Sequence, residues 1–272
     1  MGAPGQGPVD DDVAVEEPLE LQLHDGAGWR SLAVVMRTPD DDDDVDEDLA
    51  VGFLCSEGIV SSASVIESVA ACTVAPSPQA EGNVLRVKLR AGVVVDWARL
   101  ARHTFASSSC GVCGKVSIES ACAVAAPLQS TLVVDVDVVF GLVQRLRSLQ
   151  PIFARTGGLH GAMLANSVGD VLVVREDVGR HNAVDKVIGH LLRAGRDPAD
   201  LLLVVSGRVG FELVQKALAA RIGLIAGVGA PSSLAVELGH QGGVAVVGFV
   251  KERSCNVYAH PERLRDGAGG DR

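Results

Sequence analysis

Two cysteines, Cys110 and Cys113, are separated by two residues in the stretch SSSCGVCGKVS, which covers 107–117. Such a pair can hold a metal ion, form a redox disulfide or carry sulfur. A structural zinc ion needs about four protein ligands, and the sequence offers neither a second C-x-x-C nor an H-x(3–5)-H pair. Redox pairs of the thioredoxin type open a helix, whereas these cysteines lie among glycines and serines. The pattern therefore favours sulfur transfer, and no metal ligand is predicted.

Sulfur transfer requires a thiolate on at least one of these cysteines. A free thiol with a pKa near 8.5 is only about 3% thiolate at pH 7, and a pKa lower by about two units would make the thiolate the majority form. Lys115, Arg102 and His103 are near enough in sequence to contribute positive charge. A thiolate among small residues can accept the terminal sulfur of a donor persulfide and pass it to an acceptor. Whether one or both cysteines carry sulfur is left open by the sequence.

Four polar stretches each follow an apolar run in the second half of the chain. They are REDVGRHN at 175–182, SGRVGFE at 206–212, GAPSS at 229–233 and FVKERSCNVY at 249–258. Ser206 and Gly207 allow a tight turn into a helix, whose N-terminus offers N–H groups to an anion. Arg208 can donate two parallel hydrogen bonds to a phosphate, and Ser232 or Ser233 can cap a helix or bind a ligand. The stretches predict a pocket for a phosphate-bearing ligand, the alternative being ordinary strand–helix turns.

A histidine, His160, stands in the stretch TGGLHGAML at 156–164, where a Gly-Gly turn enters an apolar segment. A single histidine beside apolar residues is commonly a core residue whose hydrogen bonds are satisfied. The same position at the start of an apolar segment would also suit a ligand-binding or catalytic imidazole. Both interpretations of His160 remain open from the sequence.

The elements that would position these residues alternate along the second half of the chain. Continuous apolar runs, typical of strands covered by helices on both faces, are separated by amphipathic segments with helical spacing. The predicted strands lie within 170–177, 200–208, 224–230 and 244–250, and the predicted helices within 136–148, 179–195, 210–223 and 231–243. This alternation predicts an α/β domain with a mostly parallel sheet and right-handed crossovers, with ligands at the carboxyl edge of the strands.

The first half of the chain is less regular and predicts a smaller α+β part. A helix is expected within 46–60, ended by Gly58, and a strand within 81–92, where apolar and polar residues alternate. The acidic run at 40–48 is interpreted as a solvated loop leading into the helix. The predicted organisation is a flexible tail at 1–18, an N-terminal subdomain at 19–106, the mobile cysteine loop at 107–117, the α/β domain at 118–262 and a second flexible tail at 263–272.

Composition and charge exclude several classes of protein. The formal net charge is −10, and no Lys/Arg block stands out, which argues against nucleic acid as a partner. The apolar runs are too short to cross a bilayer, and the N-terminus lacks the basic start and apolar run of a secretory signal. Neither a P-loop nor a G-x-G-x-x-G pattern is present. These features predict a cytoplasmic protein that binds no nucleic acid and no membrane.

The motifs, taken in order, resemble the FdhD/NarQ family of sulfur carriers that formate dehydrogenases require. The matching stretches run over roughly residues 45–260; they are LAVGFLCSEGIV, SSSCGVCGK, TGGLHGAML, REDVGRHNAVDKVIG, SGRVGFELVQKA, APSSLAVELG and GFVKERSCNVY. The combination of EDVGRHNAVDK with CGVCG is highly specific. One departure is Gly210, which stands where the family pattern has a serine.

The resemblance implies a fold and an activity. The fold would be a cytidine-deaminase-like three-layer α/β domain with a smaller N-terminal part, in a homodimer. The activity would be that of a sulfurtransferase, which accepts sulfur from a cysteine desulfurase as a cysteine persulfide. The sulfur would pass to the molybdenum of the bis-molybdopterin guanine dinucleotide cofactor, which then enters the formate dehydrogenase apoenzyme. This cofactor would be bound cargo, and no permanently bound cofactor is expected.

The resemblance also assigns roles to residues. Cys110 corresponds to the persulfide-bearing cysteine, Cys113 to its partner, and the stretch near the C-terminus to a cofactor-binding segment. That segment consists of Phe249, Val250, Lys251, Glu252, Arg253 and Ser254. We group it with Ser206, Gly207, Arg208, Ser232 and Ser233 as the predicted cofactor-binding set. Two other classes remain as alternatives, a chaperone that binds the cofactor or the dehydrogenase without sulfur chemistry and a zinc hydrolase of the deaminase type.

Overall fold

The computed structural model describes residues 10–73, 80–101 and 126–266. Its larger sheet has six strands in the order β11-β10-β9-β8-β6-β7. The strands are β6 (His160–Asn166), β7 (Val171–Asp177), β8 (Leu201–Val205), β9 (Leu224–Gly227), β10 (Ala245–Gly248) and β11 (Asn256–Ala259). The central strands β8, β9 and β10 are buried along their whole length, as their continuous apolar sequences require.

Helices cover both faces of this sheet. One face carries α5 (Arg180–Arg193), α6 (Phe211–Ala219) and α7 (Ser233–Gly242), and the other carries α3 (Val136–Ser148), which is followed by α4 (Pro151–Thr156). Each face has its own apolar core, one built around the α5–α7 side and one around α3. The predicted helices at 136–148, 179–195, 210–223 and 231–243 are therefore confirmed, as are the four predicted strands.

The expectation of a mostly parallel sheet is wrong at the level of strand pairing. Only β8 with β9 and β9 with β10 pair in parallel; the other three pairings of this sheet are antiparallel. Two of these pairings are due to β6, which runs antiparallel to both β7 and β8 and inserts between them, and the third is the pairing of β10 with β11. The sequence TGGLHGAML predicts only a turn entering an apolar segment, because its histidine and glycines give no clear strand pattern.

The N-terminal part forms a four-stranded sheet in the order β2-β1-β4-β3. Its strands are β1 (Glu17–His24), β2 (Trp29–Arg37), β3 (Ile66–Ala71) and β4 (Val84–Leu89), and its helices are α1 (Asp43–Ser56) and the short α2 (Trp97–Ala101). The predicted helix and the predicted strand of this half correspond to α1 and β4. Leu49 and Leu54 of α1 pack with Leu21 of β1 and Val87 of β4 in a third apolar core. A further pair of two-residue strands, β5 (Val134–Asp135) and β12 (Leu264–Arg265), completes the described strands.

Helix α1 also contacts the second half of the chain, because it crosses α5 at two glycines. A Cβ atom on Gly52 would overlap the carbonyl oxygen of Asp185, and one on Gly189 would overlap the carbonyl oxygen of Asp48. Only glycine lets the two backbones approach this closely. The crossing joins the small sheet to the helical face of the large one.

Among the described helices, none combines the length and apolarity that crossing a bilayer demands.

Candidate functional site

The carboxyl ends of β8, β9 and β10 bring three separate parts of the predicted cofactor-binding set to one edge of the large sheet. Backbone hydrogen bonds connect the turns that follow these strands: the N–H of Gly229 donates to the carbonyl of Gly207 at 2.9 Å, and the N–H of Phe249 donates to the carbonyl of Gly229 at 3.1 Å. Because β6 runs in the opposite direction, His160 at its start lies at the same edge. The predicted edge site is therefore one continuous surface.

Ser206 and Gly207 form the turn after β8. The backbone N–H of Gly161 donates to the Ser206 hydroxyl oxygen at 2.9 Å, and the N–H of Ser206 donates to the carbonyl of Gly161 at 3.0 Å. The serine hydroxyl is thus fixed as an acceptor, and its own proton is directed elsewhere. Gly207 faces His160, whose Nδ1 would lie 3.5 Å from a Cβ placed on the glycine.

Arg208 is exposed, and within the described residues it makes no ion pair. Its backbone lies against Gly229, where an added Cβ would approach the Arg208 N and Cα atoms to 3.0 Å. The close packing of these two turns fixes the Arg208 backbone while leaving its guanidinium in solvent. A free guanidinium on a rigid turn suits recognition of an anionic group such as a phosphate.

The predicted segment from Phe249 to Ser254 follows β10 as an exposed turn. Phe249 has a positive φ of 52° and is 44% exposed, so its ring is presented to solvent at the sheet edge. Val250 is 2% exposed and packs in the core beside α3, and its N–H donates to the carbonyl of Gly227 at 3.2 Å, so neither its side chain nor its N–H is available to a ligand. The N–H of Lys251 donates to the carbonyl of Ser254 at 2.8 Å and closes the turn. Lys251, Glu252, Arg253 and Ser254 are all exposed.

Ser232 and Ser233 begin α7. The hydroxyl of Ser232 accepts a hydrogen bond from the N–H of Ala235 at 3.3 Å, so this serine caps the helix. Ser233 is the first helical residue and is exposed. Gly210 is the N-cap of α6 and provides no side-chain cap, which leaves that helix without the bond a serine would supply.

His160 is half-buried at the edge. Burial lowers the pKa of His160 below its usual value near 6.5, and the positive charges of Arg180 and His181 lower it further, although Asp177 acts in the opposite direction. The imidazole is therefore neutral near pH 7 and offers one donor and one acceptor nitrogen. It is positioned for ligand contact, which the sequence had left open.

A cavity of about 370 Å³ opens beside His160 on the α3 side of the edge. Its walls combine apolar side chains with a few polar groups, and Ser206 and Gly207 belong to them; the lining is Val143, Leu146, Arg147, Gln150, Phe153, Gly157, Gly158, Leu159, His160, Ser206, Gly207 and Val228. Gln150 and Arg147 were not predicted from the sequence. No feature of the stretch RLRSLQPIF identifies either residue as part of a site, because their proximity to the sheet edge depends on how α3 packs on the sheet.

The charged stretch REDVGRHN contributes less to the site than its composition suggests, because three of its charges are used inside the fold. Arg175 binds Asp48 at 3.2 Å. Both carboxylate oxygens of Glu176 accept N–H groups of the first turn of α4 at 3.0 and 2.8 Å. Asp177 is buried and forms an ion pair of 2.7 Å with Lys186. The two remaining charged or histidine members, Arg180 and His181, are partly exposed, and His181 lies 3.9 Å from Glu212.

Two of the described cysteines, Cys55 and Cys255, are poor nucleophiles. Burial, assisted by the negative charge of Asp185, raises the pKa of the Cys55 thiol to about 11. Burial also raises the pKa of Cys255, although that residue lies in the fourth polar stretch. Cys110 and Cys113 lie outside the described residues, so their geometry is not part of this site. If the chain performs thiol chemistry at neutral pH, neither Cys55 nor Cys255 is suited to it.

Comparison with known proteins identifies relatives over nearly the whole chain. The sequence profile of the FdhD/NarQ family matches residues 14–265. A protein of Anaeromyxobacter dehalogenans strain 2CP-1 named sulfur carrier protein FdhD is 46% identical over 268 residues, which covers 95% of this chain and 90% of the relative. A protein of the same name from Saccharolobus solfataricus is 40% identical over 255 residues, covering 93% and 91%.

A solved structure agrees with the fold. The crystal structure of a protein described as a formate dehydrogenase accessory protein, from Desulfotalea psychrophila, superimposes with a TM-score of 0.73. The match covers 97% of this chain and 96% of the other at 24% sequence identity. At that identity the likeness concerns the arrangement of strands and helices.

Proposed function

The chain belongs to the FdhD/NarQ family, and from this membership we propose that it is a sulfur carrier serving a formate dehydrogenase. The observation that carries the proposal is the 46% identity, over 95% of the chain, with a protein named sulfur carrier protein FdhD. The C-x-x-C pair supplies the chemistry that such a role needs, and the charges and turns at the sheet edge supply a place for an anionic cargo. A homodimer in the cytoplasm remains our expectation for the assembly and its location.

In the first proposed step, the thiolate of Cys110 attacks the terminal sulfur of a persulfide on a cysteine desulfurase. A new S–S bond forms on Cys110, the S–S bond of the donor breaks, and the donor cysteine leaves as a thiolate. The terminal proton travels with the transferred sulfur, so atoms and charge balance, and no net oxidation or reduction takes place.

In the second proposed step, Cys113 releases the sulfur in reduced form. Its thiolate attacks the Cys110 sulfur of the persulfide, which forms a Cys110–Cys113 disulfide and expels hydrosulfide. The two electrons that reduce the sulfur come from the two cysteines, so an external dithiol must then reduce the disulfide. The acceptor would be the molybdenum of the bis-molybdopterin guanine dinucleotide cargo, where hydrosulfide would replace an oxygen ligand that leaves as hydroxide. The apoenzyme of formate dehydrogenase would receive the cargo afterwards.

The sheet edge supports the cargo part of the proposal. The guanidinium of Arg208 makes no ion pair within the described residues, and the exposed turn at 249–254, two strands along the same edge, carries the cations Lys251 and Arg253 beside the anion Glu252. Phosphates of a dinucleotide cofactor would find charge-assisted donors there. Ser206, Gly207, Ser232 and Ser233 contribute turns and hydroxyl groups to the same edge.

The proposal is tested by mapping persulfide on the protein. The chain is incubated with a cysteine desulfurase and cysteine, and peptides are analysed by mass spectrometry for an addition of about 32 Da, the mass of one sulfur atom. We expect the addition on Cys110, and we expect Cys110→Ala to abolish it. Cys255→Ala is the matched control and should retain the full addition, because burial disfavours the thiolate of Cys255.

A cellular assay separates the carrier from the chaperone alternative. The double variant Cys110→Ala, Cys113→Ala is expected to leave formate dehydrogenase inactive in cells that lack the native gene. A pure chaperone needs neither thiol, so full formate oxidation with the double variant would contradict the sulfur-carrier proposal.

A further inference from the structure

Strand β2 forms one edge of the small sheet. It pairs with β1 alone, and the only other hydrogen bond to its backbone within the described residues is at the carbonyl of Met36, which accepts from Asn182 Nδ2 at 2.7 Å. Every second residue of an edge strand turns its N–H and C=O groups away from the sheet. From Trp29 to Val35 these outward groups therefore have no partner in the described part of the chain.

The solvent face of β2 is apolar near its end. Val34 is 63% exposed and Met36 is 47% exposed, and the register with β1 places Met36 opposite the exposed Pro18, on the face turned away from α1. Edge strands are usually shielded by charges, prolines or bulges. β2 has one irregularity, at Leu32, but its residues 31–36 carry no charge. An uncharged edge of this kind is a template for a further strand.

The two ends of β2 carry opposite charge. At its start, the guanidinium of Arg30 lies 5.0 Å from the ring centroid of Trp97, and that of Arg86 lies 5.1 Å from the ring centroid of Trp29. Neither arginine has a carboxylate oxygen within 4 Å among the described residues. Just after the strand, the aspartates at 40–42 are exposed and make no ion pair in that same part of the chain. The edge therefore has a basic start, an uncharged middle and an acidic end.

The other charges near these two ends do not cancel this difference. Asp25 lies near Arg30, but its carboxylate accepts the indole N–H of Trp97, and the start keeps two arginines against this one acid. The remaining charges are paired within the chain; the pairs are Arg37 with Glu17 and Asp46, and Lys88 with Glu67.

We propose that β2 pairs with β2 of a second copy of this chain, antiparallel and about a two-fold axis, so that the two small sheets join into one continuous sheet. Antiparallel pairing turns the basic start of each strand toward the acidic end of the other, whereas parallel pairing would align like charges. A two-fold contact is also closed, so it removes both exposed edges at once. The inference rests on the homodimer included in the proposed function and names its surface; the sulfur chemistry is not involved.

Sedimentation equilibrium of the full chain measures the dissociation constant of the dimer. Val34→Lys places a charge in the middle of the edge and should raise that constant about tenfold or more. Val168→Lys is the matched control, because Val168 is 72% exposed in the turn between β6 and β7, and this variant should dimerise like the unchanged chain. Both valines are exposed, so neither variant should disturb the fold, which circular dichroism verifies.

Two further measurements test the orientation and the place of the contact. Arg30→Glu should weaken the dimer, whereas Arg196→Glu, the same change of charge at an exposed arginine on the loop after α5, should not. Equal effects of these two variants would overturn the antiparallel arrangement. Hydrogen exchange read by mass spectrometry should show that a peptide covering 29–36 gains protection as the protein concentration rises, because pairing engages its outward N–H groups.

The outcomes separate the inference from the function on which it rests. A dimer that Val34→Lys leaves unchanged, without added protection of β2, overturns the inference alone, because the copies then meet at another surface. A chain that stays monomeric at high micromolar concentration overturns the inference and the expected homodimer together. In either case persulfide on Cys110 would still support the sulfur-carrier chemistry.

Discussion

Lys186 and Asp177 form the most buried ion pair of the described chain, with side chains 1% and 0% exposed and an Nζ–Oδ2 distance of 2.7 Å. The ammonium also donates to the carbonyl of Thr38 at 2.9 Å, and the N–H of Thr38 donates to Asp177 at 3.1 Å. Every polar atom of the pair is thus engaged, which offsets the cost of removing two charges from water. The pair fixes the segment after β2 to the carboxyl end of β7, directly behind the candidate site.

Removing one partner of this pair should be strongly destabilising. We expect Asp177→Asn to lower the free energy of unfolding by about 3–5 kcal/mol, because it leaves the Lys186 charge buried without its counter-ion. Urea unfolding monitored by circular dichroism measures the change. Lys88→Met is the control, since the exposed pair of Lys88 with Glu67 should contribute less than about 1 kcal/mol. Equal losses in the two variants would contradict the argument.

These residues also show what sequence reasoning can reach at this scale. The stretch REDVGRHN was correctly placed at the carboxyl end of a buried strand, but its charges were assigned to a ligand. Two of their partners, Asp48 and Thr38, lie more than a hundred residues away in the chain, and even the nearer ones, such as Lys186 for Asp177, form no motif that a local pattern reveals. Gln150 escaped notice for the same reason, whereas Ser206, Gly207 and Arg208 were found because a turn after a strand is a local signal.

At the scale of elements, the crossing of α1 and α5 depends on the absence of two side chains. Gly189→Ala should lower the free energy of unfolding by about 3 kcal/mol or more, because the new Cβ would overlap a backbone carbonyl that cannot rotate away. Gly141→Ala in α3 is the matched control. Nothing lies within 4 Å of its Cβ position, so alanine there should stabilise the chain by about 0.5–1 kcal/mol through its helix propensity.

Thermal or urea unfolding of the two glycine variants checks this prediction. A Gly189→Ala protein as stable as the unchanged chain would mean that the two helices separate easily, and the crossing would then not be a rigid contact. A destabilised Gly141→Ala protein would show instead that α3 does not tolerate even an unhindered methyl group. Gly141→Ala could then not serve as the control for Gly189→Ala.

The elements found from sequence are those whose pattern is strong over many residues. Helix α3 was predicted at its observed bounds, because its apolar positions recur with helical spacing and Asp135 caps it. In the large sheet the strands β6 and β11 were not predicted; in the small sheet β1, β2 and β3 were not, nor were the two-residue strands β5 and β12. β6 follows a Gly-Gly turn and contains a histidine and a glycine, and β11 has four residues with three of them at least partly exposed. Such strands are specified by the neighbours with which they pair, so their own sequence is weak evidence.

At the scale of the whole molecule, α1 belongs to both halves of the fold. Its apolar face packs in the core of the small sheet, while Asp48 binds Arg175 and Arg193 from the large-sheet half. At its C-terminus, Ser56, the last helical residue, and Glu57, which follows it, join Lys216 of α6 in a buried network with Asp185. Burial alone would lower the pKa of Lys216, but the charges of Asp185 and Glu57 outweigh it and raise that pKa, so the ammonium stays charged.

Because α1 contacts both halves of the fold, we expect the small-sheet half and the large-sheet half of the described chain to unfold together. If the small sheet unfolded first, α1 would leave α5, Lys186 would lose its bond to the carbonyl of Thr38, and Lys216 would lose Ser56 and Glu57. Such an intermediate would keep the buried ion pairs of Lys186 with Asp177 and of Lys216 with Asp185, but without part of the hydrogen bonds that offset the cost of burying them. The cooperative alternative, in which both sheets are lost at once, is therefore favoured even though the chain is longer than typical two-state domains.

The two tryptophans of the chain make this prediction measurable. Trp29 begins β2 and Trp97 begins α2, so tryptophan fluorescence reports on the small-sheet half, whereas far-ultraviolet circular dichroism reports on all strands and helices. We expect the two signals to give one coincident urea midpoint, and we expect Asp177→Asn to lower both midpoints equally. A fluorescence transition that is complete while most of the circular dichroism signal remains would show that the small sheet unfolds alone. In that case α1 would be a detachable contact, and the sheet edge with its cavity would keep its shape without the N-terminal half.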